Sequence, residues 1–232
     1  MRPLGLIGGM SWESTAVYYR LLNERARERF GGLHSAEILL WSVDFARIER
    51  MQAEGDWARA GEELAAIAWR LEAAGAGCIA ICTNTMHKVA GEVAGAVRVP
   101  LVHIADATAA AVRHAGCKRP LLLATRYTME QDFYRGRLAA LGVETAIPPE
   151  PARSEVHRVI YEELCLGLVR PGSRARYVAA IDAAAREGAD GVILGCTEIG
   201  LLIGPDDTEL PLFDTTALHA DAILDAGNTP FS

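Results

Sequence analysis

The chain is 232 residues long, enough for one large domain or for two lobes of roughly 100 to 120 residues each. Half of the residues are hydrophobic and 23% are charged, which suits a packed core and excludes a disordered chain. A net charge of −7 with no basic run offers no landing surface to nucleic acid or to an anionic membrane, although one arginine or a helix N-terminus can still hold a small anion.

The N-terminal stretch MRPLGLIGG lacks the regions of a signal peptide, and no apolar run reaches the ~18 residues of a membrane span, so a cytoplasmic protein is expected. Arg2 to Gly9 reads as a short apolar strand that runs into glycines. The amphipathic stretch SWESTAVYYRLLNERARERF follows, with Ser11 as its N-cap and Gly31-Gly32 as its stop. Strand, glycine turn and helix N-terminus in that order make an anion site. Gly8-Gly9 alone is a weak nucleotide signal, because the three spaced glycines and the downstream acid of a dinucleotide fingerprint are missing.

Ala36 to Phe45 is the next strand, followed by a short polar segment, ARIERMQAEGD. Asp56 to Ala74 is an Ala-rich helix with Leu64, Ile67, Ala68 and Leu71 on one stripe, closed by Gly75. The continuous apolar run GCIAIC, Gly77 to Cys82, reads as a buried parallel strand that ends in the polar loop Thr83-Asn84-Thr85. A helix, MHKVAGEVAGAV, comes next. Pro100 opens the strand PLVHI, and Asp106 is expected to cap the helix ATAAAVRHAG.

The second half repeats this order. RPLLLATRYT (119–128) echoes RPLGLIGGMS (2–11) at an offset of 117. EGADGVILGCTE (187–198) echoes AGAGCIAICTNT (74–85) at 113, and LPLFDTTALHADAIL (210–224) echoes VPLVHIADATAAAV (99–112) at 111. Between them lie a helix from Met129 to Leu141, a short strand GVETAIP, and helices Ser154 to Leu168 and Ser173 to Glu187 broken apart by Pro171-Gly172. Strands alternating with helices across short loops predict a parallel α/β architecture with helices on both faces. Such sheets place ligands beyond the carboxyl ends of their strands, where the loops GGMS, TNT, ATRYT and GCTE all lie.

Without a gap, the second echo lays Thr83 on Cys196 and Cys82 on Gly195. Side chains of a strand alternate faces, so Thr83 takes the reactive position and Cys82 is a small core residue beside it. Cys196, in a loop read as opening a helix, is expected to have its thiolate favoured by free backbone N–H groups. The five cysteines (Cys78, Cys82, Cys117, Cys165, Cys196) are odd in number and scattered, which predicts free thiols. His87, His103 and His219 stand apart, so no zinc set is read.

The stretches GLIGGMSWEST, CTNTMH, ATRYTMEQDFYRGRL and GVILGCTEIGLL resemble the aspartate/glutamate racemase family of cofactor-independent amino-acid racemases, particularly its bacterial broad-specificity branch with a Thr/Cys pair. The resemblance covers essentially the whole chain. It implies two pseudo-symmetric, Rossmann-like α/β lobes with the active site between them: residues 1–105, then 106–214, with a C-terminal helix of about 215–232 packing back on the first lobe. It also implies a homodimer, no pyridoxal phosphate and no metal.

Family members carry one Cys before Asn-Thr and one in Gly-Cys-Thr, each moving a proton on its own face of the substrate. Here Thr83 replaces the first, which implies a racemase of aspartate or glutamate that prefers the L-substrate, with Cys196 as base for the L form. Met10, Ser11, Asn84, Thr85, Thr128 and Thr197 are the expected donors to the α-carboxylate. Arg47 stands near the position of an arginine that grips the substrate side chain, or is a surface arginine on a polar helix, and Gln52 stands on the same pocket wall. Glu198 is expected either to meet the ammonium group or to orient Cys196, and Cys165 stands where several relatives have a lysine. Two other readings stay open: a decarboxylase of the same superfamily using Cys196 alone, and a catalytically inert dicarboxylate sensor.

Overall fold

The computed structural model of the chain describes residues 2–228. Strands and helices alternate: β1 (Leu4–Gly8), α1 (Trp12–Phe30), β2 (Ile38–Ser42), α2 (Phe45–Glu54), α3 (Trp57–Ala73), β3 (Cys78–Ile81), α4 (Ala90–Gly95), β4 (Leu101–Val102) and α5 (Ile104–His114). Then come β5 (Leu121–Ala124), α6 (Arg126–Glu130), α7 (Asp132–Ala140), α8 (Ala152–Glu162), α9 (Pro171–Arg186), β6 (Val192–Gly195), β7 (Leu212–Asp214) and α10 (Thr215–Asn228). The chain folds as two compact units, residues 2–104 with 219–228 and residues 105–218. Each unit is an α/β layer structure around a parallel sheet.

In the first unit the sheet order is β2-β1-β3-β4, all parallel. The period-two rule divides its two faces cleanly. Ile7, Ile79 and Ile81 pack with Leu64, Ile67, Ala68 and Leu71 of α3 and with Ile48 and Met51 of α2. Leu4, Leu6, Cys78, Ala80 and Cys82 pack on the opposite face with Tyr18, Leu22 and Ala26 of α1 and Ala220, Ile223 and Leu224 of α10. Each fully buried Leu or Ile in these clusters contributes roughly 2 kcal/mol through removal from water. Cys82 is wholly buried in the second cluster, a core residue.

In the second unit the parallel order is β5-β6-β7, and β5 and β6 are buried along their whole length. The repeat is visible in the ladders. Ile79 pairs with Leu101 in the first sheet and Val192 with Leu212 in the second, which reproduces the offsets 113 and 111 read from the sequence. The ladders correct the third offset, because Gly5 pairs with Ile79 where Leu121 pairs with Val192, so β1 maps on β5 at 116 and not 117. Gly195, the counterpart of Cys82, has no room for a side chain: a Cβ there would lie 2.7 Å from the Leu122 side chain and 3.0 Å from that of Ala124.

Several local expectations are corrected. The segment after β2 is helix α2, capped by Asp44 and closed by Gly55, and its buried stripe is only Ile48, Met51 and Gln52, too short to stand out in the sequence. α5 starts at Ile104, so Asp106 lies in its first turn and pairs with Arg137 at 2.5 Å. The helix read over 129–141 is two helices, because Gln131 is extended. GVETAIP makes no strand but one bridge, Leu121 to Ala146. Pro171 starts α9, at a position where its missing N–H costs nothing. The C-terminal helix read to 232 is seen to Asn228, and residues 229–232 of that expectation lie outside the described residues. Among the described residues no helix is long and apolar enough to cross a membrane.

Candidate active site

Parallel pairing brings strand ends side by side. Ile7 pairs with Ile81, so the loop after β1 (Gly9-Met10-Ser11) and the loop after β3 (Thr83-Asn84-Thr85) leave the same edge of the first sheet as neighbours. The β1 loop is shaped by Gly9, at φ +91°, where a Cβ would lie 2.3 Å from the Val43 carbonyl oxygen. That close approach lets the Val43 N–H donate to the Gly8 carbonyl at 3.0 Å. The Gly9 N–H donates to Thr15 Oγ1 (2.8 Å), and the Thr15 hydroxyl donates to the Ser11 carbonyl (2.8 Å), which seats the loop on the first turn of α1. Ser11 is the N-cap, accepting from the Ser14 N–H at 3.3 Å. The positive end of a 19-residue helix therefore opens at this strand end.

Thr83 is half-buried, whereas Met10, Ser11, Asn84 and Thr85 are almost fully enclosed. The Thr83 N–H donates to the Ile81 carbonyl at 2.8 Å. Gln52 is brought into this group from α2, 4% exposed, with its amide donating to Met86 Sδ at 3.0 Å. Arg47 is placed otherwise: its guanidinium is largely exposed and paired with Glu63 of α3, so a substrate carboxylate would have to displace that partner. The three histidines that stand apart in the sequence are gathered here. The His87 ring lies 4.4 Å from that of His103 and 5.7 Å from that of His219.

In the second unit Ala124 pairs with Gly195, so Thr125 and Cys196 leave neighbouring strand ends. Cys196 stands two residues beyond the Leu123–Leu194 pair, just as Thr83 stands two beyond the Ile7–Ile81 pair. Thr125, which sequence reading passed over, caps α6 by accepting from the Thr128 N–H at 3.4 Å, and the two hydroxyls lie 3.2 Å apart.

Around Cys196 the polar groups converge on one carboxylate. The Cys196 thiol donates to Glu198 Oε2 at 2.9 Å, the Thr197 hydroxyl to the same oxygen at 2.7 Å, and the Cys165 thiol to Oε1 at 3.9 Å. Glu198 is 3% exposed and Cys196 8%. Burial pushes the Cys196 thiol well above its ordinary range, and the Glu198 charge and Cys165 push it further. The expected helix N-terminus is missing, because only a three-residue 3-10 turn, Ile199–Leu201, follows. The expectation of a favoured thiolate is thus corrected: the Glu198 backbone N–H lowers the thiol's pKa as a free N–H should, but burial and the neighbouring carboxylate outweigh it. Tyr177 of α9, missed in the sequence, borders this group: burial and then Cys196 raise its phenol, whose hydroxyl donates to the Val156 carbonyl at 2.9 Å.

Glu198→Gln removes the charge that helps hold Cys196 protonated and supplies an amide donor to the sulfur. Titration of Cys196 by ultraviolet thiolate absorbance is therefore expected to move to lower pH in this variant, and so is the rising limb of any activity that needs the thiolate. An unchanged or upward-shifted titration would show that Glu198 does not control this thiol.

A sequence profile described as Asp/Glu/Hydantoin racemase matches residues 7–223. A crystal structure of a candidate Asp/Glu racemase from Yersinia pestis is similar with a TM-score of 0.92 and 51% identity, over 99% of this chain and 100% of that one. An aspartate racemase homologue from Pyrococcus horikoshii superposes with a TM-score of 0.86 and 35% identity over 99% and 100% of the two chains. The broad specificity amino-acid racemase RacX of Bacillus subtilis is 21% identical over 95% of this chain and 96% of its own.

Proposed function

Because the chain belongs to the Asp/Glu/hydantoin racemase family and is an amino-acid racemase, an isomerase, we propose that it interconverts the enantiomers of aspartate or glutamate by proton transfer at the α-carbon, with Cys196 and Thr83 as the two acid/base groups. The observation that carries this reading is the equivalence of the two residues at matching strand ends of a repeated fold, two positions past the equivalent pairs Ile7–Ile81 and Leu123–Leu194.

The chemistry follows from unequal partners. Glu198, 2.9 Å from the Cys196 sulfur, orients the thiol; its proton is lost to solvent as substrate settles, and the thiolate then removes the α-proton of the L-amino acid. Thr83 delivers its hydroxyl proton to the opposite face of the carbanion and is reprotonated from solvent. For the D-substrate the roles reverse, and an alcohol is deprotonated far less readily than a thiol, so α-proton exchange and kcat favour the L-substrate, while kcat/KM is equal in the two directions because the enantiomers are equal in free energy. The carbanion charge spreads onto the α-carboxylate. Donors for that carboxylate are assigned to Met10, Ser11, Asn84, Thr85, Thr128 and Thr197, with the N-terminus of α1 adding its positive end.

Gln52 and Arg47 are assigned to the substrate side chain, Arg47 by exchanging Glu63 for the substrate carboxylate. No cofactor enters this scheme. A homodimer is part of the reading, supported by apolar side chains exposed on and near the edge strand β2: Leu40 at 43%, Trp41 at 40% and Leu33 fully exposed. The test is enantiomer conversion of L- and D-aspartate and L- and D-glutamate by the purified protein. Conversion of at least one pair is expected, with the larger kcat from the L side at saturating substrate. Carbon dioxide release from substituted malonates without racemisation would replace the reading with a decarboxylase, and thermal stabilisation by aspartate without conversion would replace it with a sensor.

A further inference from the structure

We propose that His87 is the positioning residue of Thr83: a neutral imidazole in one enforced tautomer that holds the Thr83 carbonyl, and through it the side-chain direction of the weaker acid/base group. The proposal rests on the reading that Thr83 acts at the α-carbon.

His87 is 3% exposed and sits in the 3-10 turn Thr85–Val89 that follows β3. Its two ring nitrogens meet backbone groups of opposite character. The Ile104 N–H can only donate, and it points at Nε2 from 3.2 Å; the Thr83 carbonyl can only accept, and it lies 2.8 Å from Nδ1. Both demands are met by one form, with the proton on Nδ1 and the lone pair on Nε2. The other neutral tautomer would lose both bonds, and an imidazolium would set an N–H against the Ile104 N–H.

Of the two rings beside it, His103 at 4.4 Å and His219 at 5.7 Å, the second is equally fixed. The neighbouring His219 donates from Nε2 to the Val102 carbonyl (2.8 Å) and accepts at Nδ1 from the Tyr18 hydroxyl (2.8 Å). Burial pushes His219 down to about 4, so the ring edge against His87 carries no charge near neutral pH. The His87 backbone N–H donates to the Asn84 carbonyl at 3.1 Å, so one residue holds two successive carbonyls of the reactive loop.

For Thr83 this completes a clamp. Its N–H is bound to the Ile81 carbonyl and its carbonyl to His87, so both flanking peptide units are tied down and the Cα–Cβ direction is set. What freedom remains is rotation about χ1, which β-branching already restricts. An alcohol that must transfer a proton to carbon depends on such placement more than a thiol does, because it has less intrinsic reactivity to make up for a poor approach.

The two amide variants separate the functions of the two nitrogens. Asn matches the reach of Nδ1 and keeps a donor for the Thr83 carbonyl. Gln matches the reach of Nε2 and keeps an acceptor for the Ile104 N–H. Conversion of the L- to the D-amino acid is expected to fall in kcat by about tenfold to a hundredfold in His87→Gln and by only about threefold in His87→Asn, at unchanged KM. Exchange of the L-substrate α-proton in deuterated buffer, which needs Cys196 alone, should hold in both.

In the wild-type protein, the imidazole 15N spectrum should show His87 protonated at Nδ1, a reading that does not depend on whether a variant folds. Equal losses in the two variants, parallel loss of exchange, or an Nε2-protonated ring would overturn the assignment while leaving the racemase standing. A wild-type protein that converts no acidic amino acid would overturn the reading of Thr83 and the assignment with it.

Discussion

Replacing Cys196 with alanine is expected to remove racemisation of both enantiomers, a loss of roughly 10²- to 10⁴-fold or more. On the proposed route every turnover in either direction passes a proton through this sulfur. Thr83 cannot substitute, because it serves the other face of the α-carbon. The structural cost is small by comparison. Cys196 is buried, so the alanine variant leaves a void and removes one of the donors to Glu198, which keeps the Thr197 hydroxyl at 2.7 Å. A loss of about 1 to 2 kcal/mol of stability is expected, visible as a lower unfolding midpoint without loss of the native fold.

Cys196→Ser is the sharper variant. It retains a donor for Glu198 and nearly the same volume, so stability should be preserved, while the alcohol that replaces the thiol leaves the site with two weak bases. Enantiomer conversion followed by chiral chromatography, beside thermal unfolding, checks both variants. Substantial racemisation by a folded serine variant would rule out Cys196 as the base for the L form.

The second large effect is expected at Thr83, in the opposite direction. Thr83→Cys restores a thiol to the position equivalent to Cys196, and α-proton exchange of the D-substrate is expected to rise by about tenfold or more, narrowing the difference between the enantiomers. The introduced sulfur should be held as the hydroxyl is, because the clamp on this residue is made by its own N–H and carbonyl and not by its side chain. Thr83→Ala should behave differently. Conversion is lost, but the α-proton of the L-substrate still exchanges with solvent through Cys196. If Thr83→Cys leaves the ratio of L- to D-substrate α-proton exchange rates unchanged while the protein remains active, Thr83 is not the second acid/base group.

Much of the fold was legible because its signals are local. Apolar runs ending in polar loops marked β1, β3, β5 and β6. The capping residue Ser11 and the stop at Gly31 fall where side-chain hydrogen-bonding and backbone freedom require them. Legibility failed where a helix had a narrow buried stripe, as in α2. It failed too where the decisive partner was far along the chain, as when Arg137 takes the Asp106 carboxylate read as a helix cap. Within the candidate site the residue types were readable but their partners were not. Arg47 reads as a grip for the substrate side chain or as a surface arginine, and only the packing of α2 beside α3 supplies Glu63.

By itself the sequence determined the repeat, and with it the pairing of Thr83 with Cys196. A duplicated strand keeps its apolar period and its terminal polar loop, and those can be aligned without knowing where anything lies in space. Only the tertiary structure decided the state of the two groups so paired. Glu198 is two residues from Cys196 in the chain, but the burial that raises the thiol, and the approach of Cys165 and Tyr177, come from α9 and from the segment after α8, through space and not along the sequence. The same holds on the other side. His87, His103 and His219 are scattered over 133 positions and become one cluster because β3, β4 and α10 pack together, leaving His87 with a tautomer that the two backbone groups of Thr83 and Ile104 impose.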